Sequence, residues 1–196
     1  MTHISPDLKR AVATVALLNL AFFGVEFTVA QRIGSVSLFA DSVDFLEDAS
    51  VNFLILAALG WSARARARLG MVLSGVLLFP ALATLWTIVS KIAAPTAPDA
   101  FSLSVTGLAA LVVNAFCALL LARYRDHAGS VTRAAFLSAR NDAFANLAII
   151  AVALVTAFLW RSAWPDIIVG LGIAVMNADA AREVWTAARE EHAIHA

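Results

Sequence analysis

Long runs without Asp, Glu, Lys or Arg dominate this chain. Three such runs cover residues 69–90, 100–122 and 143–160, with 22, 23 and 18 residues. Each is close to the ~20 residues that an α-helix needs to cross the hydrocarbon core of a bilayer. Three further apolar stretches contain only a few charges. The pattern predicts six membrane-spanning helices at about residues 8–30, 36–60, 69–91, 100–122, 132–160 and 164–186.

Composition agrees with a membrane protein. Of the 196 residues, 61% are hydrophobic and 14% are charged, and the mean hydropathy is +0.83. Typical globular domains contain about 45–50% apolar and about 25% charged residues. The formal net charge is zero and no basic cluster alternates with aromatics, so nucleic acid is not an expected partner. Cys117 is the only cysteine, which excludes an intramolecular disulfide, and we interpret it as a small core residue.

The distribution of lysine and arginine predicts the orientation. Ten of them fall at the N-terminus, in the second and fourth connections and at the C-terminal end, whereas the opposite side has only Arg32, Lys91 and Arg161. Cytoplasmic loops carry the excess of positive charge. We therefore expect an all-α, polytopic membrane protein. It forms a six-transmembrane-helix bundle in a single domain, residues 1–196, with both termini cytoplasmic and a short cytosolic C-terminal tail.

An acidic cluster interrupts the second predicted helix. Asp41, Asp44, Glu47 and Asp48 lie within eight residues, followed by an uncharged, largely apolar run to residue 63. On a helix, the three aspartates at i, i+3 and i+7 share one face. A charge at the bilayer centre costs at least ~2.5–3.5 kcal/mol, so its retention indicates a function.

The fifth predicted helix has a matching polar face. Ser138, Asp142 and Asn146 recur every four residues, with Asn141 beside them. Clustered carboxylates in a medium of low dielectric constant are best neutralised by a divalent cation. We therefore predict an oxygen-rich cation site in which Asp44, Asp48 and Asp142 are ligands and Ser138 and water complete the shell.

Other interpretations of these polar residues stay open. Asp142 or Glu47 can instead form an internal salt bridge with Arg140. Asn19 and Glu26, seven residues apart in the first helix, are interpreted mainly as residues that hold the bundle together. A membrane metallohydrolase is disfavoured because all four histidines (His3, His127, His192, His195) fall in predicted loops or tails.

These motifs resemble the transmembrane domain of the cation diffusion facilitator family. The residues from Asn19 to Glu26 and the segment Gly-Ser-Val-Ser-Leu-Phe-Ala-Asp-Ser at 34–42 resemble the family's first helix and the start of its second. Asp44-x-x-x-Asp48 matches the half-site of helix two. Ser138-x-x-x-Asp142 lies where helix five supplies the other half, and the resemblance extends over about residues 8–189.

The resemblance implies that Asp44, Asp48 and Asp142 are transport-site ligands. Ser138 occupies a position where the family has histidine or aspartate, and histidine there favours zinc and takes part in proton exchange. A serine hydroxyl is a poor zinc ligand, since hard oxygen donors suit manganese or magnesium. Asn141 or Glu47 is a candidate for the missing ligand, and Asp41 is a further accessory candidate.

The resemblance also implies the function. We expect a divalent cation efflux transporter of the zinc, cadmium, cobalt and manganese class, working by metal/proton antiport in a cell membrane, such as a bacterial inner membrane. It would be no enzyme and would have no prosthetic group. Only about ten residues follow helix six, so we expect no cytosolic metal-binding domain and a homodimer formed through membrane helices, with helices three and six as candidate contacts. The alternative is a non-transporting metal-binding or accessory relative.

Overall fold

The computed structural model describes residues 6–58, 82–122 and 129–194. Side chains are described within these ranges except at 55, 57–58, 129–141, 177, 180–181, 183–185 and 187–194. The described residues form helices and no strand, which confirms the all-α prediction. The helices are α1 (Pro6–Ile33), α2 (Val36–Ala58), α3 (Leu82–Ala93), α4 (Ala100–Ala122), α5 (Gly129–Phe158) and α6 (Trp164–Ile194).

A tight turn joins α1 to α2. Gly34 has a φ of 62°, in the left-handed region that glycine adopts without steric cost. The N–H of Ser35 donates to the Ala30 carbonyl over 3.1 Å and closes the end of α1. The Ser35 hydroxyl then accepts the N–H of Leu38 at 3.2 Å, which is the side-chain cap of α2. Two adjacent residues therefore end one helix and begin the next, in antiparallel directions.

Capping residues also mark the starts of α4 and α6. Asp99 accepts the N–H of Ser102 at 2.8 Å, and the hydrogen bonds from Ser102 lower the pKa of Asp99 below its usual value of 3.8. The N–H of Trp164 donates to the Ser162 hydroxyl at 3.3 Å, and Pro165 follows in the first turn of α6. Helix α6 continues to Ile194, beyond the predicted end at 186, because Ala, Arg and Glu in that stretch favour helix.

Four helices form a ring. Helix α1 packs against α2 and α4, and α5 packs against the same two helices, so α1, α2, α5 and α4 follow one another around it. Helix α6 lies outside the ring against α2 and α5. The main apolar cluster includes Leu38, Leu103 and Ile149, from α2, α4 and α5. The acidic face of α2 is thereby placed between α1 and α5.

One end of the bundle is held by charged side chains from α3 and α6. Asp166 is fully buried and accepts four hydrogen bonds from the first residues of α2 and from Ser35. Lys91 donates to the Gly34 carbonyl and, at 3.1 Å, to Thr96. Its charge also acts on Asp166. Both side chains therefore fix the α1–α2 turn against its neighbours.

Glycine allows α6 to approach α2 closely. A Cβ atom on Gly170 would lie 2.6 Å from the Val36 side chain and 2.8 Å from the backbone of Ser37. A Cβ atom on Gly172 would meet nothing within 4 Å in the described part of the chain. Gly170 therefore packs against α2 of the same chain and is not available for a contact with a second copy. Gly172 faces away from the described helices.

Large apolar side chains cover the outside of the described bundle. Trp86 is 74% exposed and Phe158 is 81% exposed, and many leucines, valines and phenylalanines accompany them. Contiguous apolar surface of this kind is not stable against water. By length and composition, α1 and α4 are apolar enough to cross a membrane, and shorter apolar helices are Leu82–Ala93, Asp142–Phe158 and Trp164–Met176.

Candidate metal transport site

The four acidic residues of α2 differ in burial because α1 and α5 cover only part of the helix. Asp41 is fully buried, whereas Asp44, Glu47 and Asp48 are half-buried. The half-buried acids lie one to two turns further along α2 from the α1–α2 turn. This part of the acidic face is therefore the more open one, as a site that must load and release an ion requires.

Asp48 is held by a chain of side chains from three helices. The amide nitrogen of Asn19 in α1 donates to Asp48 Oδ2 at 3.3 Å. The thiol of Cys117 in α4 donates to the oxygen of the same Asn19 amide at 3.7 Å. Asn19 and Cys117 are both buried. The sequence placed them in the bundle core, and the structure adds a contact with the candidate ligand.

Asp142 of α5 meets the acids of α2. Its carboxyl group interacts electrostatically with Asp48, Asp41 and Glu47. Asp44 in turn interacts electrostatically with Asp142 and Asp48. The two half-sites predicted from sequence thus share one electrostatic cluster, since α2 and α5 are neighbours in the ring.

The cluster is not closed around one point in this conformation. No three Asp, Glu, His or Cys side chains in the described part of the chain converge closely enough to hold a metal ion. Two ionised carboxylates ~6 Å apart repel each other by about 3 kcal/mol at an effective dielectric constant of 20. This repulsion opposes any closer approach of the acids, so a positive charge is needed to bring them together around one point.

The fourth predicted ligand cannot be placed. The side chains of Ser138 and Asn141 lie outside the described residues, as does that of Arg140. Their backbone belongs to α5, so Ser138 and Asp142 are one turn apart on that helix. The roles of Ser138 and Asn141, and the salt bridge between Arg140 and Asp142 or Glu47, stay predictions.

A second polar layer lies one turn closer to the α1–α2 turn. Glu26 of α1 and Asp41 of α2 are fully buried, and their carboxyl groups interact electrostatically. Asn146 of α5 is also fully buried, and its amide interacts with Asp41. The sequence pattern predicts Glu26 mainly as a residue that holds the bundle together and Asp41 as an accessory ligand, and it does not bring the two together.

The spacing along the two helices explains both pairs. Asn19 and Glu26 are seven residues apart in α1, and Asp41 and Asp48 are seven residues apart in α2. Seven residues are two helical turns, so each pair lies on one face. Once the antiparallel register sets Asn19 opposite Asp48, Glu26 must lie opposite Asp41. The matching intervals of seven are visible in the sequence, but only the register of α1 against α2 brings the two pairs opposite each other.

The sequence matches the family model of the cation efflux transmembrane domain over residues 12–190. The chain belongs to this family. A comparison of the sequence with curated proteins found no match. Family membership, together with the apolar outer surface, establishes a helical bundle of the membrane and a divalent cation efflux transporter. Members of this family are transporters and not enzymes, and the divalent cation is the transported substrate.

Proposed function

We propose that this protein exports a divalent metal of the zinc, cadmium, cobalt and manganese class in exchange for protons. Asp44, Asp48 and Asp142 are the ligands of the transported ion, and Ser138 completes the set. The observation that supports the proposal is the packing of α5 against α2, which puts Asp142 into electrostatic interaction with the acids of that helix. Carboxylates assembled in a membrane bundle gain their stability from the cation that they bind.

Protons and metal compete for the same oxygen atoms. A carboxylate must be deprotonated to bind a metal, so protonation of the cluster releases the ion and metal binding releases protons. With both termini cytoplasmic, the ion enters from the cytosol and leaves on the side of the α1–α2 turn. Protons from that side then neutralise the carboxylates and return the carrier to its starting conformation.

The remaining parts of the proposal follow from the membrane setting. The whole chain is one transmembrane domain in a cell membrane, such as a bacterial inner membrane, with a lipid bilayer around its apolar surface. Two copies associate through their membrane helices. Gly172, which has open space beside it on the outside of α6, is a suitable contact point for such a dimer.

Flux into proteoliposomes with an imposed pH gradient tests the proposal. Zinc, cadmium, manganese and cobalt are offered to the parent protein, to Asp48→Asn and to Asp179→Asn. The control residue Asp179 is an exposed acid of α6, so its change removes the same charge outside the cluster. We expect gradient-dependent uptake that Asp48→Asn reduces at least a hundredfold and Asp179→Asn leaves unchanged.

Two results would contradict it. Uptake by Asp48→Asn at the parent rate would exclude Asp48 as a ligand. Metal binding without flux in the parent, lost in Asp48→Asn, would indicate the accessory relative instead of a transporter.

A further inference from the structure

A buried amide lies where the acidic face of α2 meets an apolar part of the bundle. Asn19 of α1 is fully buried, and its amide contacts Asp48 in α2 and Cys117 in α4. Cys117 packs in an apolar cluster whose other buried members are Leu8, Val12, Val15 and Leu121. Leucine and valine offer a thiol no side-chain acceptor. The oxygen of Asn19 therefore supplies the acceptor that the other side chains of this cluster lack.

The two contacts of Asn19 agree on one orientation of its amide. An ionised carboxylate only accepts hydrogen bonds, so the amide must turn its nitrogen toward Asp48. That nitrogen lies 3.3 Å from Asp48 Oδ2, and the Cys117 sulfur lies 3.7 Å from the amide oxygen. In the flipped amide, an oxygen would face the carboxylate and the thiol would lose its acceptor. The thiol therefore favours the orientation in which Asn19 can hold an ionised Asp48.

We propose that Asn19 is a positioning residue for the transport site and that Cys117 sets the orientation of Asn19. The inference rests on the proposed role of Asp48 as a ligand, and it adds α1 and α4, which supply none of the proposed ligands. The hydrogen bond from Asn19 holds the Asp48 carboxylate in one rotamer before the ion arrives, so less conformational entropy is lost on binding. A carboxylate has about four lone-pair sites, so it can accept this hydrogen bond and also bind a metal.

The two residues should differ in the size of their effect. Loss of a group that orients a metal ligand lowers metal affinity by about 10–100-fold, and we expect Asn19→Ala to fall in this range. Cys117→Ala should cost less, because the thiol is a weak donor and acts through Asn19. Cys117→Ser keeps a donor, so its affinity should lie closer to that of the parent. A role in packing alone gives the opposite order, because an apolar cluster accepts alanine more readily than serine.

Metal flux into proteoliposomes over a range of metal concentrations tests these effects. The probe is whichever of zinc, cadmium, manganese and cobalt the parent carries fastest, and equilibrium binding to the purified full chain in detergent gives its affinity. In Asn19→Ala, the KM should rise by a larger factor than the maximal rate falls, whereas Asp48→Asn should lose flux. Melting curves and size-exclusion profiles establish that each variant is folded.

The thiol also reports on the contact directly. Cys117 is the only cysteine, so the chain has a single S–H stretching band in the infrared. A hydrogen bond lowers the frequency of this band, and Asn19→Ala should therefore raise it in the absence of metal. In the parent, a metal at Asp48 draws charge from the carboxylate and weakens the connected hydrogen bonds, which should also raise the frequency. Asp48→Asn should show no response to metal.

Three results would overturn the inference. They are parent-like affinity and KM in folded Asn19→Ala, metal binding by Cys117→Ala at least as tight as by Cys117→Ser, and an S–H band that neither Asn19→Ala nor metal moves. If Asp48→Asn has lost flux in the same experiments, the transport site stands and the positioning role alone fails. A parent that binds no metal, or flux by Asp48→Asn at the parent rate, contradicts the transport site and the positioning role together.

Discussion

Substitution of Asp166 tests the packing that positions α2. One carboxylate oxygen accepts the hydroxyl of Ser35 at 2.7 Å, and the N–H and hydroxyl of Ser37 at 3.1 and 2.6 Å. The other accepts the N–H of Val36 at 2.7 Å. A side chain from α6 thus binds the N-terminal end of α2, where the free N–H groups and the helix dipole favour a negative charge.

The expected loss follows from which donors are left unpaired. In Asp166→Ala, the Ser35 and Ser37 hydroxyls can rotate toward each other, since they already lie 3.3 Å apart. The N–H groups of Val36 and Ser37 have no such alternative. Each buried orphan donor costs about 1–3 kcal/mol, so we expect the free energy of unfolding to fall by about 4 kcal/mol. The Asp166→Asn side chain keeps one acceptor oxygen but turns an N–H group toward the N–H of Val36. One backbone donor is then unpaired, so we expect the free energy of unfolding to fall by about 2 kcal/mol.

Denaturation by sodium dodecyl sulfate in mixed micelles, followed by circular dichroism, measures these differences. Ser35→Ala serves as a milder comparison, because it removes one donor together with the cap of Leu38. The expected order of stability is parent, Asp166→Asn, Asp166→Ala. An Asp166→Ala protein as stable as the parent, or one more stable than Asp166→Asn, would refute the reasoning that the two backbone donors dominate.

Three further predictions concern separate features. Gly170→Ala should lower the free energy of unfolding by about 1–3 kcal/mol, because its Cβ atom meets the backbone of α2, whereas Gly172→Ala should have no such effect; thermal melting compares the two. Asp99→Ala should lower the melting temperature at neutral pH. The pKa of Asp99 is lowered in the folded protein, so its contribution is present above its unfolded pKa and is lost as the pH falls through the lowered value; melting temperatures equal at neutral pH would contradict the cap. Ser138→His should shift flux selectivity toward zinc over manganese, since imidazole is the better zinc ligand; an unchanged order of metals in the liposome assay would exclude residue 138 from the site.

The sequence alone determined the helical class and the acidic face of α2. Both follow from local physics. Backbone groups in lipid must pair within the helix, and a period of 3.6 residues decides which side chains share a face. The grouping of Asp41, Asp44 and Asp48 was therefore predictable, and so was a connection between the first two helices within residues 31–35.

Only the tertiary structure decided which faces meet. Periodicity does not specify the neighbour of a helix or the register against it, so Asn19 opposite Asp48 and Glu26 opposite Asp41 emerged from the packing of α1 on α2. Asp166 reaches the start of α2 across 129 to 131 residues of chain, and no local pattern connects them. Gly170 likewise faces α2 because α6 packs there. Long-range contacts depend on the fit of whole helix surfaces, which is a property of the folded bundle.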